Sequence, residues 1–465
     1  MRAPSASGLI DRNDRSRRLG NCPGMWTYHP ELLALPVPRY TSFPTAVEFA
    51  AGVGAAELAT ALESQGGEIS LYVHIPFCEK ICWYCGCNTS VANRTDRVAS
   101  YLDALHREIG LVAERLPDAG SHAAKVTRIA FGGGSPNGIS PVDFVRIVDA
   151  LTLQFAASRP AISMELDPRG LGPEWGAVLG AVGIERASLG VQTFAPDLQQ
   201  AIGRVQPARM IENATALLRG AGVGSLNFDL MYGLPGQTLA HLRDTLEQTV
   251  ALGADRVALF GYAHVPHLIA RQRKIDAAAL PDAEARFRMA AFGHEFLVDQ
   301  GYLPVGFDHF ALPGDSLAQA ALNGTLRRNF QGFTEDRTQA LVGLGASAIS
   351  SFPELLVQNE KNTGRYRMML SQGRLTASRG VVRTGEDRRR GAVIEGLLCQ
   401  GRARIEPDLR VEAFPMLQAY FDAGLCEANG EDLVIRPGGL PYARSIAARF
   451  DPYRKDSLRR FSSAV

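Results

Sequence analysis

The sequence predicts an α/β fold organised on a parallel sheet. Between residue 71 and about residue 300, strand-like apolar runs alternate six times with amphipathic segments of helix length. Such alternation implies right-handed crossovers between parallel strands. Cysteine-rich and glycine-rich turns follow the first two of these strands, and parallel sheets gather functional groups at strand C-terminal ends.

The first strand, residues 71–75 (LYVHI), is β-rich and runs straight into a cysteine loop. A helix is expected over residues 96–116, where Val98, Leu102, Leu105, Ile109 and Val112 recur at helical spacing. The second strand, residues 126–131, leads to a helix after Ser140 and Pro141, a serine suited to the N-cap and a proline suited to the first turn. Strands at 162–166, 187–191, 226–231 and 256–262 complete the six units. Beyond Gly301 come a further strand-like run, YLPVGFDHF, the polar and aromatic stretch RRNFQGF, and the glycine-rich GLGASAISS. From about Thr384 the pattern changes to helices at 391–400 and 412–423, a hairpin around Asn429 and Gly430, and a last helix after Pro441. That layout resembles a winged helix, but it lacks the basic recognition helix that DNA binding needs.

The 465 residues suffice for a large catalytic domain and a smaller one. We expect an N-terminal extension over residues 1–35, disordered or flexible, a catalytic domain with an N-terminal arm over 36–375, and a mostly helical C-terminal domain over 376–465. Residues 1–25 are rich in Arg, Ser and Gly without an apolar core, so they do not read as a secretory signal, and Asp11 and Asp14 speak against a transit peptide. Met25 is an alternative start. No apolar run is long enough to span a bilayer, so no membrane association is expected. With 49 basic and 48 acidic residues interspersed, the net charge is +1, which leaves no broad basic face for nucleic acid. An acidic substrate must be met by a local basic pocket.

Four of the seven cysteines, Cys78, Cys82, Cys85 and Cys87, lie within ten residues in HIPFCEKICWYCGCN. This clustering argues for metal thiolates in a reducing, cytoplasmic compartment. Cys78, Cys82 and Cys85 are spaced C-x3-C-x2-C, which lets one short loop wrap a soft metal centre. A [4Fe–4S] cluster is normally closed by four thiolates, so three leave one iron open to a non-protein ligand. A zinc site would instead split its ligands into two separated pairs, and the later cysteines, Cys399 and Cys426, are isolated. FGGGSP at residues 131–136 lets backbone approach a ligand closely, although a tight strand-to-helix turn would use the same residues. Glu165 ends the strand ISMEL, where an inward carboxylate needs a partner.

The C-x3-C-x2-C loop after a β-strand resembles the signature of radical S-adenosylmethionine (SAM) enzymes. The resemblance implies a partial (βα)6 barrel and one [4Fe–4S] cluster held by Cys78, Cys82 and Cys85. It also implies cleavage of SAM on the open iron to a 5′-deoxyadenosyl radical. Along the chain PRYTSFPTA, LYVHIPFC, CGCN, GGGSP, LGVQTF, NFDLMYGLPGQT, GYAHVP, QRKI, DHFA, RRNFQGF and GASAIS follow, in order, the pattern of oxygen-independent coproporphyrinogen III oxidases. The match runs from about Pro36 to the C-terminus. It implies two SAM sites, the first at Tyr72, Tyr84, Gly133 and Glu165, with Glu165 on the ribose hydroxyls and Tyr72 and Glu165 nearest the chemistry. Gly134, Ser135, Gln192, Arg204, Asp229, Ala263 and Ile349 fall on the second. Two departures keep the interaction type: Tyr84 stands where the family commonly has Phe, and Ser135 stands in a motif that is commonly GGGT. Arg204 and Asp229 read equally as a structural ion pair when taken without the flanking motifs.

The resemblance implies oxidative decarboxylation of two propionates of coproporphyrinogen III to vinyl groups, giving protoporphyrinogen IX. The expected partners are an electron donor of flavodoxin or ferredoxin type and an unidentified acceptor, acting on a monomer. No general base is needed at the reacting carbon, so His74, His264 and His309 are expected to be structural or orienting. The alternatives are a haem-binding chaperone of similar fold and a nucleic-acid modifier. The chaperones have an aromatic residue at the position of Cys87 and lack the RYTSFPTA arm, both of which this chain has. The nucleic-acid modifier is disfavoured by the charge balance. Among Arg39, Arg273, Lys274, Arg327 and Arg328, two or three are expected to hold propionates, because a buried carboxylate needs a cation.

Overall fold

We describe the chain from a computed structural model covering residues 26–91, 94–118, 120 and 123–456. The leader at 1–25 and its alternative start at Met25 lie outside the described residues. Six strands form the centre of one sheet: β1 (Gly67–Ile75), β2 (Ala124–Gly133), β3 (Ala161–Leu166), β4 (Ile184–Gln192), β5 (Ser225–Tyr232) and β6 (Arg256–Gly261). Each pairs in parallel with the next, as the alternation predicts. The first crossover is helix α1 (Thr95–Ala113), and the second is α2 (Pro141–Gln154). At α2 the Ser140 hydroxyl accepts from the Asp143 N–H at 3.1 Å and Pro141 occupies the first turn, so the expected cap is in place.

The run YLPVGFDHF is not one strand. It splits into β7 (Leu303–Val305) and β8 (His309–Ala311), paired antiparallel around a turn with Gly306 at φ +61°. A Cβ at Gly306 would strike the Phe333 ring, so only glycine fits there. β8 then pairs antiparallel with β6. RRNFQGF is a hairpin of Arg327–Asn329 and Gly332–Thr334. On the other side, β9 (Ala340–Leu344) lies parallel to β1, followed by the antiparallel strands β10 (Ile349–Phe352), β11 (Leu355–Asn359) and β12 (Ala377–Val382). The full order is β12-β11-β10-β9-β1-β2-β3-β4-β5-β6-β8-β7. β1 is therefore central, and seven of its nine residues are buried, which is why its sequence is apolar on both faces.

The sheet curls into a partial barrel. Arg128 on β2, Arg186 on β4 and Arg256 on β6 all reach Glu335: Arg128 at 3.0 Å, Arg256 at 4.0 Å, and Arg186 in the tightest contact of the three. Side chains from every second strand can meet one carboxylate only if the sheet wraps around it. This ion network closes the bottom of the barrel. No helix among the described residues is long and apolar enough to cross a membrane.

Two boundaries differ from expectation. Within the expected 1–35 extension, residues 26–35 are packed: Leu32 and Leu33 are buried, Trp26 Nε1 donates to the Pro437 carbonyl at 3.2 Å, and Tyr442 donates to the Thr27 carbonyl at 2.7 Å. The run WTYHPELLAL is largely apolar, but the partners that cover it lie some 400 positions away, which no local pattern signals. Residues 377–382, expected in the C-terminal domain, extend the catalytic sheet as β12. The C-terminal unit begins at Gly385–Gln400 and adds Pro407–Asp422 and a small sheet of Arg402–Arg404, Asp432–Ile435 and Cys426–Asn429. Its core is shared with the arm, where Val37, Tyr40 and Phe43 pack among Ile394, Leu397 and Phe450. Tyr40 donates to Asp451 at 2.9 Å and Arg454 to the Pro36 carbonyl at 3.0 Å.

A buried carboxylate ties α1 to the β9–β12 side of the sheet. Glu108 accepts from Gly345 N–H at 2.5 Å, Thr376 Oγ1 at 2.5 Å, Tyr366 Oη at 2.7 Å and Asn359 Nδ2 at 2.9 Å. Burial raises its pKa and these donors pull it back. Replacing Glu108 with Ala strands four buried donors, so we expect a loss of at least about 3 kcal/mol in urea unfolding. Glu108→Gln keeps the shape and one acceptor, and should lose about half as much or less.

Candidate active site

The C-terminal ends of β1 to β6 form one rim, and the predicted site residues are distributed around it. β1 delivers Tyr72, flanked by Ala130 and Gly343 in register, and His74 two residues on. His74 lies between the Tyr72 hydroxyl (3.2 Å to Nδ1) and the Asn88 carbonyl (3.1 Å to Nε2), so it braces β1 against the end of the cysteine loop. Burial lowers its pKa, which keeps the ring neutral and fits the orienting role expected of it. The Tyr72 ring meets Phe330 of the RRNFQGF hairpin edge-on at 5.0 Å.

The glycine turn at the end of β2 is shaped by these neighbours. Gly133 has φ +114°, and a Cβ there would lie 2.5 Å from the His74 imidazole. A Cβ at Gly134 would lie 2.6 Å from the Phe77 carbonyl. Backbone therefore passes where no side chain fits. Gly134 N–H donates to Ile75 O at 2.9 Å and Ser135 N–H to Phe77 O at 2.7 Å, which stitches the turn to the start of the cysteine loop.

Within that loop Cys78 and Cys82 are buried, Cys85 is partly buried and Cys87 is exposed. Cys78 contacts Thr89 Oγ1 at 3.1 Å, and burial pushes its thiol up to about 11. Cys82 Sγ accepts from Arg204 at 3.3 Å and Arg169 at 3.5 Å. The Cys85 thiol is drawn down to about 6, chiefly by the hydrogen bond from the Cys87 side chain. Among the described residues no three His, Cys, Asp or Glu side chains are spaced to hold a single metal ion. What the loop does present is three thiols with guanidinium donors on one sulfur, and a backbone concavity beside them. That donor set fits an iron–sulfur cluster whose sulfurs accept hydrogen bonds.

Glu165 ends β3 facing the glycine turn and accepts from Gly133 N–H at 3.2 Å. Its side chain opens into a cavity of about 340 Å³, lined among others by Ser188, Asp229, Phe260, His309 and Phe333. Burial, and then the Asp229 carboxylate, push its pKa up to about 7. A carboxyl held this far up, with a single N–H donor, is set to accept hydrogen bonds from a ligand. Asp229 accepts from Ser188 Oγ and Asn227 Nδ2, both at 2.8 Å, and burial raises its pKa too.

Arg204 and Asp229 do not form the ion pair that was their alternative reading. The carboxylate paired with Arg204 is Asp167, at 3.3 Å, and Arg204 also donates to the Gly190 carbonyl at 2.7 Å. Gln192 ends β4 with φ +65° and is buried beside them. Tyr84 packs near Arg204, and its carbonyl shares Gln272 Nε2 with the Ala263 carbonyl, both at 3.0 Å. Ile349 stands apart from the Glu165 cavity. It lines a neighbouring one of about 350 Å³ with Tyr40, Arg328 and Phe330.

Several functional neighbours were missed by sequence reasoning. Asp167 and Arg169, in the run DPRG after β3, cradle Cys82 and Arg204, and Thr89 touches Cys78. An aspartate-proline turn after a strand was a weak signal for the first pair, whereas nothing local marked Thr89. Of the basic candidates, Arg327 pairs with Glu395 at 2.9 Å, and Lys274 lies over Trp83 on the outer side of the cysteine loop at 5.8 Å. Arg273 is exposed. Arg39 and Arg328 turn inward, Arg39 over Phe260 at 5.1 Å and Arg328 over Phe333 at 4.2 Å.

Residues 72–249 match the Radical SAM superfamily. An oxygen-independent coproporphyrinogen III oxidase of Bradyrhizobium diazoefficiens is 39% identical over 92% of this chain and 97% of its own length. The Escherichia coli K12 protein of the same name is 35% identical over 92% and 96%. The solved structure of the Escherichia coli coproporphyrinogen III oxidase, described as a radical SAM enzyme, superposes with a TM-score of 0.86 at 33% identity, covering 92% of this chain and all of that one. The cysteine loop, the glycine turn and the barrel rim thus sit in a chain that matches such relatives nearly end to end, and it belongs to the oxygen-independent coproporphyrinogen III oxidase family of radical SAM enzymes.

Proposed function

We propose that this chain decarboxylates two propionate side chains of coproporphyrinogen III oxidatively, leaving vinyl groups and giving protoporphyrinogen IX in anaerobic haem biosynthesis. The observation that carries the reading is the near-complete coverage of relatives bearing that name, with C-x3-C-x2-C placed beside Glu165 and Gly133. The haem-carrier alternative has less support, since Cys87 is present and the arm is built into the C-terminal core.

When bound, the [4Fe–4S] cluster and SAM supply hydrogen-atom abstraction at the propionate β-carbon, after which loss of CO2 and one electron leaves the alkene. Cys78, Cys82 and Cys85 hold the cluster, and Arg169 and Arg204 donate to the Cys82 sulfur, which offsets thiolate charge. Gly133 offers backbone to the SAM amino group and Glu165 accepts the ribose hydroxyls, with Tyr72 and Tyr84 completing the first SAM site. A second SAM lies against Gly134, Ser135, Gln192, Arg204, Asp229, Ala263 and Ile349. The barrel floor at Glu335 and the arm above the rim limit water access to the radical chemistry. An acidic redox protein of flavodoxin or ferredoxin type delivers the electron in the cytoplasm, approaching the outer side of the cysteine loop where Arg271 and Lys274 flank Trp83. A separate acceptor takes the last electron, and the chain acts as a monomer.

Replacing Cys78, Cys82 or Cys85 with Ala should abolish the cluster's absorbance and all SAM cleavage. Cys87→Ser should still assemble a cluster, and a Cys87→Ser protein without cluster beside a Cys85→Ala protein with one would reverse the assignment. Equilibrium dialysis of the reconstituted protein should count two SAM molecules per chain, and a count of one removes the second site.

Glu165 also predicts a pH dependence. Its folded pKa of about 7 lies above the ordinary value of 4.5, so between these values the native state binds more protons than the unfolded one. Stability of the SAM-free protein therefore falls as pH rises from about 4.5 to about 7. Glu165→Gln should flatten that slope in thermal unfolding and weaken SAM binding by about tenfold or more.

A further inference from the structure

At the β5 and β6 end of the rim lies a cavity of about 60 Å³ whose lining shares only Ala263 with the residues assigned to SAM. On this measure it holds about four waters, or one carboxylate with part of its stem. Three guanidiniums line it, those of Arg39, Arg286 and Arg444, and the carboxylate among its lining residues is Asp308. Asp308 is already engaged, 2.7 Å from His309 Nδ1. Arg286 donates to the Tyr262 carbonyl at 2.7 Å, yet its Nε is buried without a hydrogen-bond partner. Arg39 donates to the Gly261 carbonyl at 3.2 Å. Arg328 stands just behind, over Phe307 at 5.0 Å, and holds the Arg39 carbonyl at 3.1 Å; its Nη1 is likewise buried and unpartnered.

Gathering like charges in a poorly hydrated place is costly, and arginine does not escape by losing its proton. Burial, and then Arg39, pull the Arg444 guanidinium down to about 10, and burial lowers Arg286 as well. The walls are otherwise aromatic and aliphatic, with Tyr232, Phe287, Phe307 and Leu259 among them. The cluster does not close the barrel, which closes on the separate Arg128, Arg186 and Arg256 network. An anion with planar acceptor geometry would satisfy the free donors and remove the repulsion.

Position and chemistry together select the anion. The cavity containing Glu165 and Asp229 is walled by Phe260, His309 and Phe333, and these same residues back Arg39, Asp308 and Arg328. The cysteines follow β1, while Tyr232 and Gly261 end β5 and β6, so the two features face each other from separate parts of one rim. We propose that Arg39 and Arg286, with Arg444 in the same wall, form a seat for a propionate carboxylate that is not being decarboxylated, and that it fixes the macrocycle so that another propionate faces the cluster. The assignment rests on the tetrapyrrole reading above.

The carboxylate of a SAM methionine is the other source of the same chemistry, and the two are separable. Cluster-reconstituted enzyme would be titrated anaerobically with coproporphyrin III, its tetramethyl ester, and SAM, following porphyrin fluorescence and the cluster's electron paramagnetic resonance with SAM. We expect Arg286→Gln and Arg39→Gln each to weaken coproporphyrin III binding at least about tenfold, with SAM affinity and the SAM-perturbed cluster signal unchanged. Exposed Arg273→Gln should bind as the unaltered protein does. The unaltered enzyme should bind the ester at least about tenfold more weakly than the acid, an arm that needs no variant to fold. Arg286→Lys, which keeps the charge, should recover part of the loss. Equal affinity for acid and ester, or unchanged binding by both Gln variants, overturns the seat while leaving the activity intact. Loss of SAM affinity instead of porphyrin affinity assigns the seat to SAM and overturns it equally. Should the unaltered enzyme bind SAM and cluster but no coproporphyrin, the tetrapyrrole reading itself falls, and the seat with it.

Discussion

The site depends on backbone passing where side chains cannot. The turn at the end of β2 runs between the His74 imidazole and the Glu165 carboxylate, and a single methyl at Gly132, Gly133 or Gly134 would lie within 2.8 Å of a neighbour. Such contacts cannot be relieved by rotating a surface side chain, because His74 is braced at both ring nitrogens and Glu165 sits in the rim. The absence of Cβ atoms lets the cysteine loop, the first strand and the third strand close on one point. That closeness also holds Glu165 beside Asp229 with few donors, so the steric constraint and the raised pKa are one arrangement.

The second constraint is electrostatic and runs around the whole rim. At the Cys82 side, Arg204 and Arg169 are matched by Asp167 and by a sulfur. At the barrel floor, Arg128, Arg186 and Arg256 are matched by Glu335, Asp336 and Asp315. At the β5 and β6 end several guanidiniums surround one aspartate, which also contacts a histidine. Two buried donors there, Arg286 Nε and Arg328 Nη1, lack a partner, and such donors mark a place for a ligand.

The arm connects these features. It leaves the C-terminal core at Tyr40, crosses the mouth with Arg39, and is held there by Arg328 from the RRNFQGF hairpin and by the Gly261 carbonyl. The stretch from Pro36, Pro-punctuated and aromatic and expected to be an ordered arm, thus reaches the mouth of the rim. The C-terminal unit supports it, since Ile394 and Phe450 pack the same arm whose Arg39 lines the mouth.

The sequence by itself determined the parts that are local. Alternating strands and helices, the Ser140 cap, the cysteine spacing and the glycine turn each have causes within a few residues, so six parallel strands and three thiols on one loop could be read directly. The tertiary structure alone decided which distant charges meet. Arg286 lies in an ordinary helix and Arg444 in a short C-terminal one, and neither has a neighbour in sequence that marks it. Arg327 and Arg328 are adjacent, yet one pairs with Glu395 at the surface while the other turns inward over Phe333, because successive residues of a hairpin strand face opposite sides. Arg204 chose Asp167 over Asp229 for a similar reason: the strand ends that bring carboxylates to the rim are set by sheet order, which local pattern does not encode. Backbone periodicity is a short-range property, whereas charge pairing depends on how the sheet curls.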